Sequence, residues 1–166
     1  MRKINGGLGG GRWLASAVPG ADSTIQGGQD TRLANLAMQG DREGVRALLK
    51  QKVNVSTPQG DGMTALHWAV RSDQGDMATL LVRAGADAAA KNRYGITPVY
   101  LAAVNGSAEI IRMLLDARAD PNSVAPTGET ALMTASRTGD PAAIRLLAAR
   151  GARVGFAGDR DQEQRC

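Results

Sequence analysis

Apolar residues fall along this chain in short runs, and the runs recur at a fixed step. Leu33, Leu66, Val99 and Leu132 lie 33 residues apart, and so do Leu48, Leu81, Leu114 and Leu147. Ala69, Ala102 and Ala135 keep the same step, with Leu36 in their column of the first copy. Polar and turn residues hold the register too: Thr31, Thr64, Thr97 and Thr130 form one column, and Gly62, Gly95 and Gly128 another. Four segments align without an insertion from about Gln29 to Asp161, which marks internal repetition.

Each column has a local physical reading. The threonines precede an apolar run, where a hydroxyl caps the free N–H groups of a helix start. The next column holds Arg32, Ala65, Pro98 and Ala131, and proline suits the first helical position because its missing N–H has no partner there. About eight residues on, Gly40, Asp73, Gly106 and Gly139 predict the left-handed end of a first helix. Asp41, Gln74, Ser107 and Asp140 open the second helix, three of them with side chains suited to capping. That helix carries apolar residues such as Ile110, Ile111, Leu114 and Leu115 at helical spacing. A turn with Gly85 or Gly151 in the left-handed position closes it, and Ala86-Asp87 or Ala119-Asp120 leads into the next turn.

Helices of eight to ten residues are too short to stand alone in water. One copy cannot bury its apolar faces, whereas stacked copies cover one another, with the alanine column allowing close approach. The sequence therefore predicts an all-α solenoid of stacked helix-turn-helix units joined by turn or hairpin loops. Its four repeats span about 29–58, 59–91, 92–124 and 125–157, between a Gly-rich leader over 1–28 and a charged tail over 158–166.

Composition agrees with this picture. Hydrophobic residues make up 43% of the 166 and aromatics only 3%, so the core is aliphatic. The net charge is +4 with both signs interspersed, which excludes a dense basic nucleic-acid arm. The one cysteine, Cys166, has no internal disulfide partner and no metal-ligand spacing. No apolar run approaches the roughly 20 residues of a membrane helix. In the leader, Met1-Arg2-Lys3 and Ala15-Ser16-Ala17 resemble the two ends of a secretion signal. The stretch between them holds five glycines and Arg12, too polar and too flexible for an apolar signal core. The location stays open between the cytoplasm and, if the leader is a degraded signal, export to the periplasm.

The second copy reads Asp61-Gly62-Met63-Thr64-Ala65-Leu66-His67-Trp68-Ala69, the third Gly95-Ile96-Thr97-Pro98-Val99-Tyr100-Leu101-Ala102-Ala103 and the fourth Gly128-Glu129-Thr130-Ala131-Leu132-Met133-Thr134-Ala135. These resemble the D-G-x-T-P-L-H-x-A pattern of the ankyrin repeat family, whose units are 33 residues of turn plus two helices. The G-A-D loop signature returns as Gly85-Ala86-Asp87 and, weakened, as Arg118-Ala119-Asp120. The stretch Pro58 to Trp68 looks most like bacterial members. The first copy departs from the pattern with Gln29 at the turn glycine, Lys52 in the Gly85 column and Gly44 in the column of Met77 and Ile110. The fourth has Arg153 where Asp87 and Asp120 stand.

The resemblance implies that partners are met by the turn tips and the exposed side of the first helices, the concave face. By column that surface holds Asp61, Met63, Arg71 and Ser72 from the second copy and Arg93, Tyr94, Ile96, Val104 and Asn105 from the third. The fourth adds Thr127, Glu129, Arg137 and Thr138. Met63, Ile96 and Tyr94 are expected to be exposed apolar contacts beside arginines, with Tyr and Arg as the energetic anchors.

His67 is the only histidine and the first catalytic suspect. The family places a histidine there to hydrogen-bond its turn and the neighbouring repeat. Its column continues as Tyr100 and Met133, and nothing supplies a nucleophile or an orienting group. Gly6-Gly7-Leu8-Gly9-Gly10-Gly11 lacks the flanking strand and helix of a phosphate loop. Trp68 suits either core filling or a surface anchor, and Arg46, Arg112 and Arg145 form an outer charged stripe. The expected function is protein binding, as adaptor or inhibitor, without catalysis, cofactor, metal, nucleic acid or membrane insertion. The alternative is a structural role: apolar residues of the last repeat, among them Ile144 and Leu146, are expected to lack a cover, which would drive weak self-association.

Overall fold

The computed structural model describes residues 30–154, so the leader and the charged tail lie outside it. Eight helices follow one another among these residues: α1 (Arg32–Gln39), α2 (Arg42–Lys50), α3 (Ala65–Arg71), α4 (Gly75–Arg83), α5 (Pro98–Asn105), α6 (Ala108–Asp116), α7 (Ala131–Thr138) and α8 (Pro141–Ala149). They form four pairs. The inner helices pack in series, α1 on α3 on α5 on α7, and the outer α4 packs on α6 and α6 on α8. The only strand-like pairing among the described residues is one isolated bridge between Val124 and Thr130, so the stack is all-α as expected.

The helix boundaries follow from the repeating columns. Thr64, Thr97 and Thr130 accept the N–H of His67, Tyr100 and Met133 at 3.5, 3.3 and 3.2 Å. Thr31 makes no such bond, and the carboxylate of Asp30 takes the N–H of Arg32 instead, at 3.2 Å. Gly40, Asp73, Gly106 and Gly139 all turn left-handed beyond the inner helices, with φ of 76°, 54°, 71° and 80°. Asp41 and Asp140 cap α2 and α8. Ser107, expected to cap α6, does not. Its hydroxyl donates to the carboxylate of Asp73 in the preceding repeat, exchanging a local cap for a contact between repeats.

The core runs unbroken through the stack. Leu66, Val99, Leu81, Leu114 and Leu147 are fully buried, as is the column Ala69, Ala102 and Ala135 between inner helices. At the first repeat that alanine column carries Leu36, and the extra volume meets a matching deficit at Gly44. A methyl group at Gly44 would stand 2.9 Å from a side-chain carbon of Leu36 and 2.6 Å from a carboxylate oxygen of Asp41. The larger residue thus fills the space that Met77 and Ile110 fill in later repeats, so Gly44 is more than a helix weakness.

Turns stack like the helices. The same bond closes three of them: the N–H of Gln59, Asn92 and Ala125 donates to the carbonyl of Met63, Ile96 and Glu129 at 2.8, 3.0 and 2.8 Å. The carbonyl of Asp61 then accepts the N–H of Arg93 at 3.0 Å, tying one turn to the next. Gly62 lies at this crossing with φ 83°, and a Cβ there would approach Arg93 N to 2.7 Å. Both its conformation and its lack of a side chain are required.

The last repeat differs from expectation. Leu147 is fully buried, and Ile144 and Leu146 are half-buried against the core. Large exposed apolar side chains among the described residues are Met38, Tyr94, Val104 and Val154, none of them on α8. Ile144 and Leu146 lean on the chain's own core instead of standing open.

Leu81→Ala and Leu114→Ala should each cost roughly 2–5 kcal/mol in denaturant titration, because each leaves a cavity between repeats. Arg112→Ala on the outer face should change stability by no more than about 0.5 kcal/mol. Helix propensity alone would make Gly44→Ala stabilising by about 1 kcal/mol. The contacts with Leu36 and Asp41 should reverse that sign, with overpacking costing roughly 1–3 kcal/mol. Leu36→Ala combined with Gly44→Ala should be less destabilised than the sum of the single changes, and strict additivity would show the two positions to be independent.

Candidate protein-binding surface

Two adjacent columns at the C-terminal ends of the inner helices are exposed throughout. They hold Arg71 at the end of α3 with Ser72 just beyond it, Val104 and Asn105 on α5, and Arg137 and Thr138 on α7. Because inner helices are neighbours, equal positions line up across the stack. The first repeat extends the same columns with Met38, 46% exposed, and Gln39. These two were absent from the expected surface although the period points to them, since they lie 33 residues before Arg71 and Ser72.

The turn tips behave unequally. Arg93, Tyr94 and Thr127 are exposed, with Tyr94 at 66%, while Asp61, Ile96 and Glu129 are half-buried. Met63, expected to be exposed, is only 5% so. The next turn lies against it, and the side-chain amide of Asn92 donates to its sulfur at 3.4 Å. A column that faces solvent in an isolated turn is covered once the following turn stacks on it.

Several of these polar side chains already have internal partners. The Asp61 carboxylate accepts the N–H of Met63 at 2.9 Å. The amide of Asn105 donates to the carbonyl of Val70 in the preceding repeat at 2.8 Å, and the hydroxyl of Thr138 to Ala135 at 2.9 Å. Arg137 forks onto Glu129 at 2.6 and 3.1 Å. By contrast, Arg71 and Arg93 make no ion pair with any described residue.

Trp68 serves as a base for this surface. Its ring packs against the core and is half-buried. Its indole N–H donates to Gln59 at 2.8 Å, and the amide of Gln59 donates to Asn35 on α1 at 2.5 Å. The guanidinium of Arg71 lies 5.3 Å above the ring centre. An arginine over an aromatic face is held by the ring quadrupole while its N–H edges stay open to a ligand. On the outer helices Arg46, Arg112 and Arg145 are all exposed, and Arg46 pairs with Glu43 at 3.3 Å. A second concavity of about 500 Å³ lies where the inner helices end and the outer ones begin, with Arg42, Gln74, Asp76, Ile110 and Met113 among its walls. It includes none of the expected contact residues.

His67 is fully buried and its ring is fully engaged. Its Nδ1 lies 3.2 Å from the N–H of Thr64, and an amide can only donate, so Nδ1 accepts. Its Nε2 lies 3.1 Å from the carbonyl of Ile96, which can only accept, so Nε2 carries the proton. The neutral ring thereby joins its own helix start to the next repeat's turn. Tyr100, one repeat on, performs the corresponding reach with its hydroxyl, which donates to Glu129 at 3.4 Å. Ile96 and Glu129 occupy the same column, so two unlike side chains fill one structural role. No group of three or more His, Cys, Asp or Glu side chains is placed to hold a metal ion among the described residues.

Burial holds the His67 pKa below its ordinary value, against smaller raising effects from the Ile96 and Ala90 backbone, Asp61 and Asp87. The unfolded chain therefore binds a proton at higher pH than the folded one. Stability from this group is complete above about pH 6.5 and declines as pH falls below it, by at most about 1.4 kcal/mol per pH unit. His67→Ala should cost roughly 1–3 kcal/mol at pH 7.5, by leaving buried partners unpaired. It should also abolish the decline between pH 6.5 and 5.5 in denaturant titrations. A parental chain whose stability is flat over that interval would mean that His67 is open to water.

Known proteins share this repeat. The model for ankyrin repeats (three copies) matches residues 12–92 and 80–157. Protein phosphatase 1 regulatory subunit 27 of Homo sapiens is 33% identical over 110 residues, covering 66% of this chain and 71% of that protein. A Caenorhabditis elegans homolog of transient receptor potential cation channel subfamily A member 1 is 32% identical over 127 residues, 76% of this chain but 10% of the channel. The B-cell lymphoma 3 protein homolog of Mus musculus is 38% identical over 95 residues, 55% of this chain and 21% of that protein. These relatives are animal proteins and lend no weight to the bacterial resemblance. With the period, the stacked helix pairs and the matched model in agreement, the chain belongs to the ankyrin repeat family.

Proposed function

We propose that this chain acts as an adaptor or inhibitor, holding a partner protein on the face formed by the exposed ends of the inner helices and the turn tips. One observation carries the reading. Met38, Tyr94 and Val104, three of the four large apolar side chains exposed among the described residues, lie on that one face. Arg71 and Arg93 stand beside them without ion-pair partners among those residues. Tyr and Arg are the residue types that most often dominate binding energy at protein interfaces. A mixture of apolar and cationic groups suits a protein better than nucleic acid or a lipid surface. The relative named as a phosphatase regulatory subunit is in keeping with a role exerted on another protein. We read the chain as non-catalytic because its one histidine is engaged on both ring nitrogens.

End-to-end self-association is the weaker reading. It is supported by exposed Ala142, Ala148 and Ala149 on α8 and by Val154, 78% exposed just beyond it. The half-burial of Ile144 and Leu146 counts against it.

A photo-cross-linking residue at position 94 should capture a discrete protein from the native source, whereas one at position 112 on the outer face should not. Tyr94→Ala should weaken binding of that protein by about tenfold or more, equivalent to about 1.4 kcal/mol or more. Equal capture from both positions, or undiminished binding by Tyr94→Ala, would overturn the proposed face. Mass that rises with concentration in sedimentation, without a captured partner, would favour self-association.

A further inference from the structure

The exposed face repeats in chemistry as well as in position. One column reads Met38, Arg71, Val104 and Arg137 across four successive inner helices, so apolar and cationic side chains alternate along the stack. All four are exposed. Packed helix axes lie about 8–10 Å apart, so the column rises roughly 25–30 Å in three steps. An extended chain in the polyproline II conformation advances about 3.1 Å per residue and brings every third side chain back to the same face, so one step corresponds to about three residues of ligand. A segment of about nine residues covers the whole column, which an α-helix at 1.5 Å per residue would need nearly twenty to cover.

From this geometry, and resting on the protein-binding face proposed above, we infer that the partner presents a short extended acidic segment. In it an apolar side chain and a carboxylate alternate at three-residue steps. Charge decides the sign. Arg71 is fixed over the Trp68 ring, 5.3 Å from its centre, and meets no carboxylate among the described residues. Arg93 adds a second unpaired cation at the neighbouring turn tip. Arg137 comes to the face already paired with Glu129, so its contact requires exchange of one carboxylate for another. Arg71 is therefore the strongest single site for an acid, and Met38 and Val104 on either side of it are the sites for the apolar residues. Guanidinium recognises carboxylate through paired parallel hydrogen bonds, which gives the segment orientation as well as attraction.

The test is selection from a phage-displayed library of random dodecapeptides on the full chain and on its Arg71→Glu, Arg93→Glu variant. Both positions are exposed, and matching thermal unfolding of the two proteins checks that the fold is kept. The parental chain should enrich peptides with Asp or Glu three residues from Leu, Ile, Val, Met or Phe. Synthetic versions of these should bind at least tenfold more weakly when the acid is moved by one residue, and the double variant should lose them. Enriched peptides without acids, binding indifferent to their spacing, equal recovery on the double variant, or no enrichment at all would each overturn the inference. A partner captured through position 94 whose binding survives Arg71→Glu, Arg93→Glu would leave the binding face standing and sink only its acidic ligand.

Discussion

None of the eight helices among the described residues can stand without its neighbour. Each is seven to nine residues long, below the length at which a helix holds itself in water. Their order comes from burial between repeats: Leu81, Leu114 and Leu147 are fully covered, and the alanine column brings the inner helices close. Stability is then shared among nearest neighbours, as in other one-dimensional stacks. The contacts that matter most join one repeat to the next: the His67 ring to Ile96, Tyr100 to Glu129, Asn105 to Val70 and the Asp61 carbonyl to Arg93.

This constraint also explains why the surface is available for binding. Burial uses the faces between repeats, so the outward columns at the ends of the inner helices, and Arg93, Tyr94 and Thr127 at the turns, have no part in the core. Residues there vary from copy to copy, as Met38, Arg71, Val104 and Arg137 do, while the column beneath them stays alanine or leucine. Affinity for a partner resides in such side chains, which the fold does not dictate. Trp68 links the two layers, since its ring packs on the core and supports Arg71.

Three departures from the repeat are instructive because each has a partner. Leu36 in the alanine column is answered by Gly44 in the column of Met77 and Ile110. Tyr100 in the histidine column is answered by Glu129 in the column of Ile96. Ser107 gives up its cap, and its hydroxyl reaches Asp73, the one non-glycine in its own helix-ending column. A substitution in one repeat is thus balanced within that repeat or across the next interface, as nearest-neighbour packing requires.

The sequence by itself determined the period, the order of helices and turns, the threonine caps of the last three repeats, the buried leucine columns and the structural place of His67. These depend on local propensity and on a spacing of 33, both legible along the chain. It also pointed to the exposed columns of the inner helices, and read strictly it would have included Met38. What it could not supply is which side chains of that surface are covered or engaged. Met63 is buried because a second turn lies on the first, and Ile144 and Leu146 are half-covered because α8 leans on its own core. Asn105 and Glu129 have partners 35 and 29 residues away. Periodicity assigns a residue to a column, but burial and hydrogen bonding depend on the distance between columns of adjacent repeats, which is fixed only when the repeats pack.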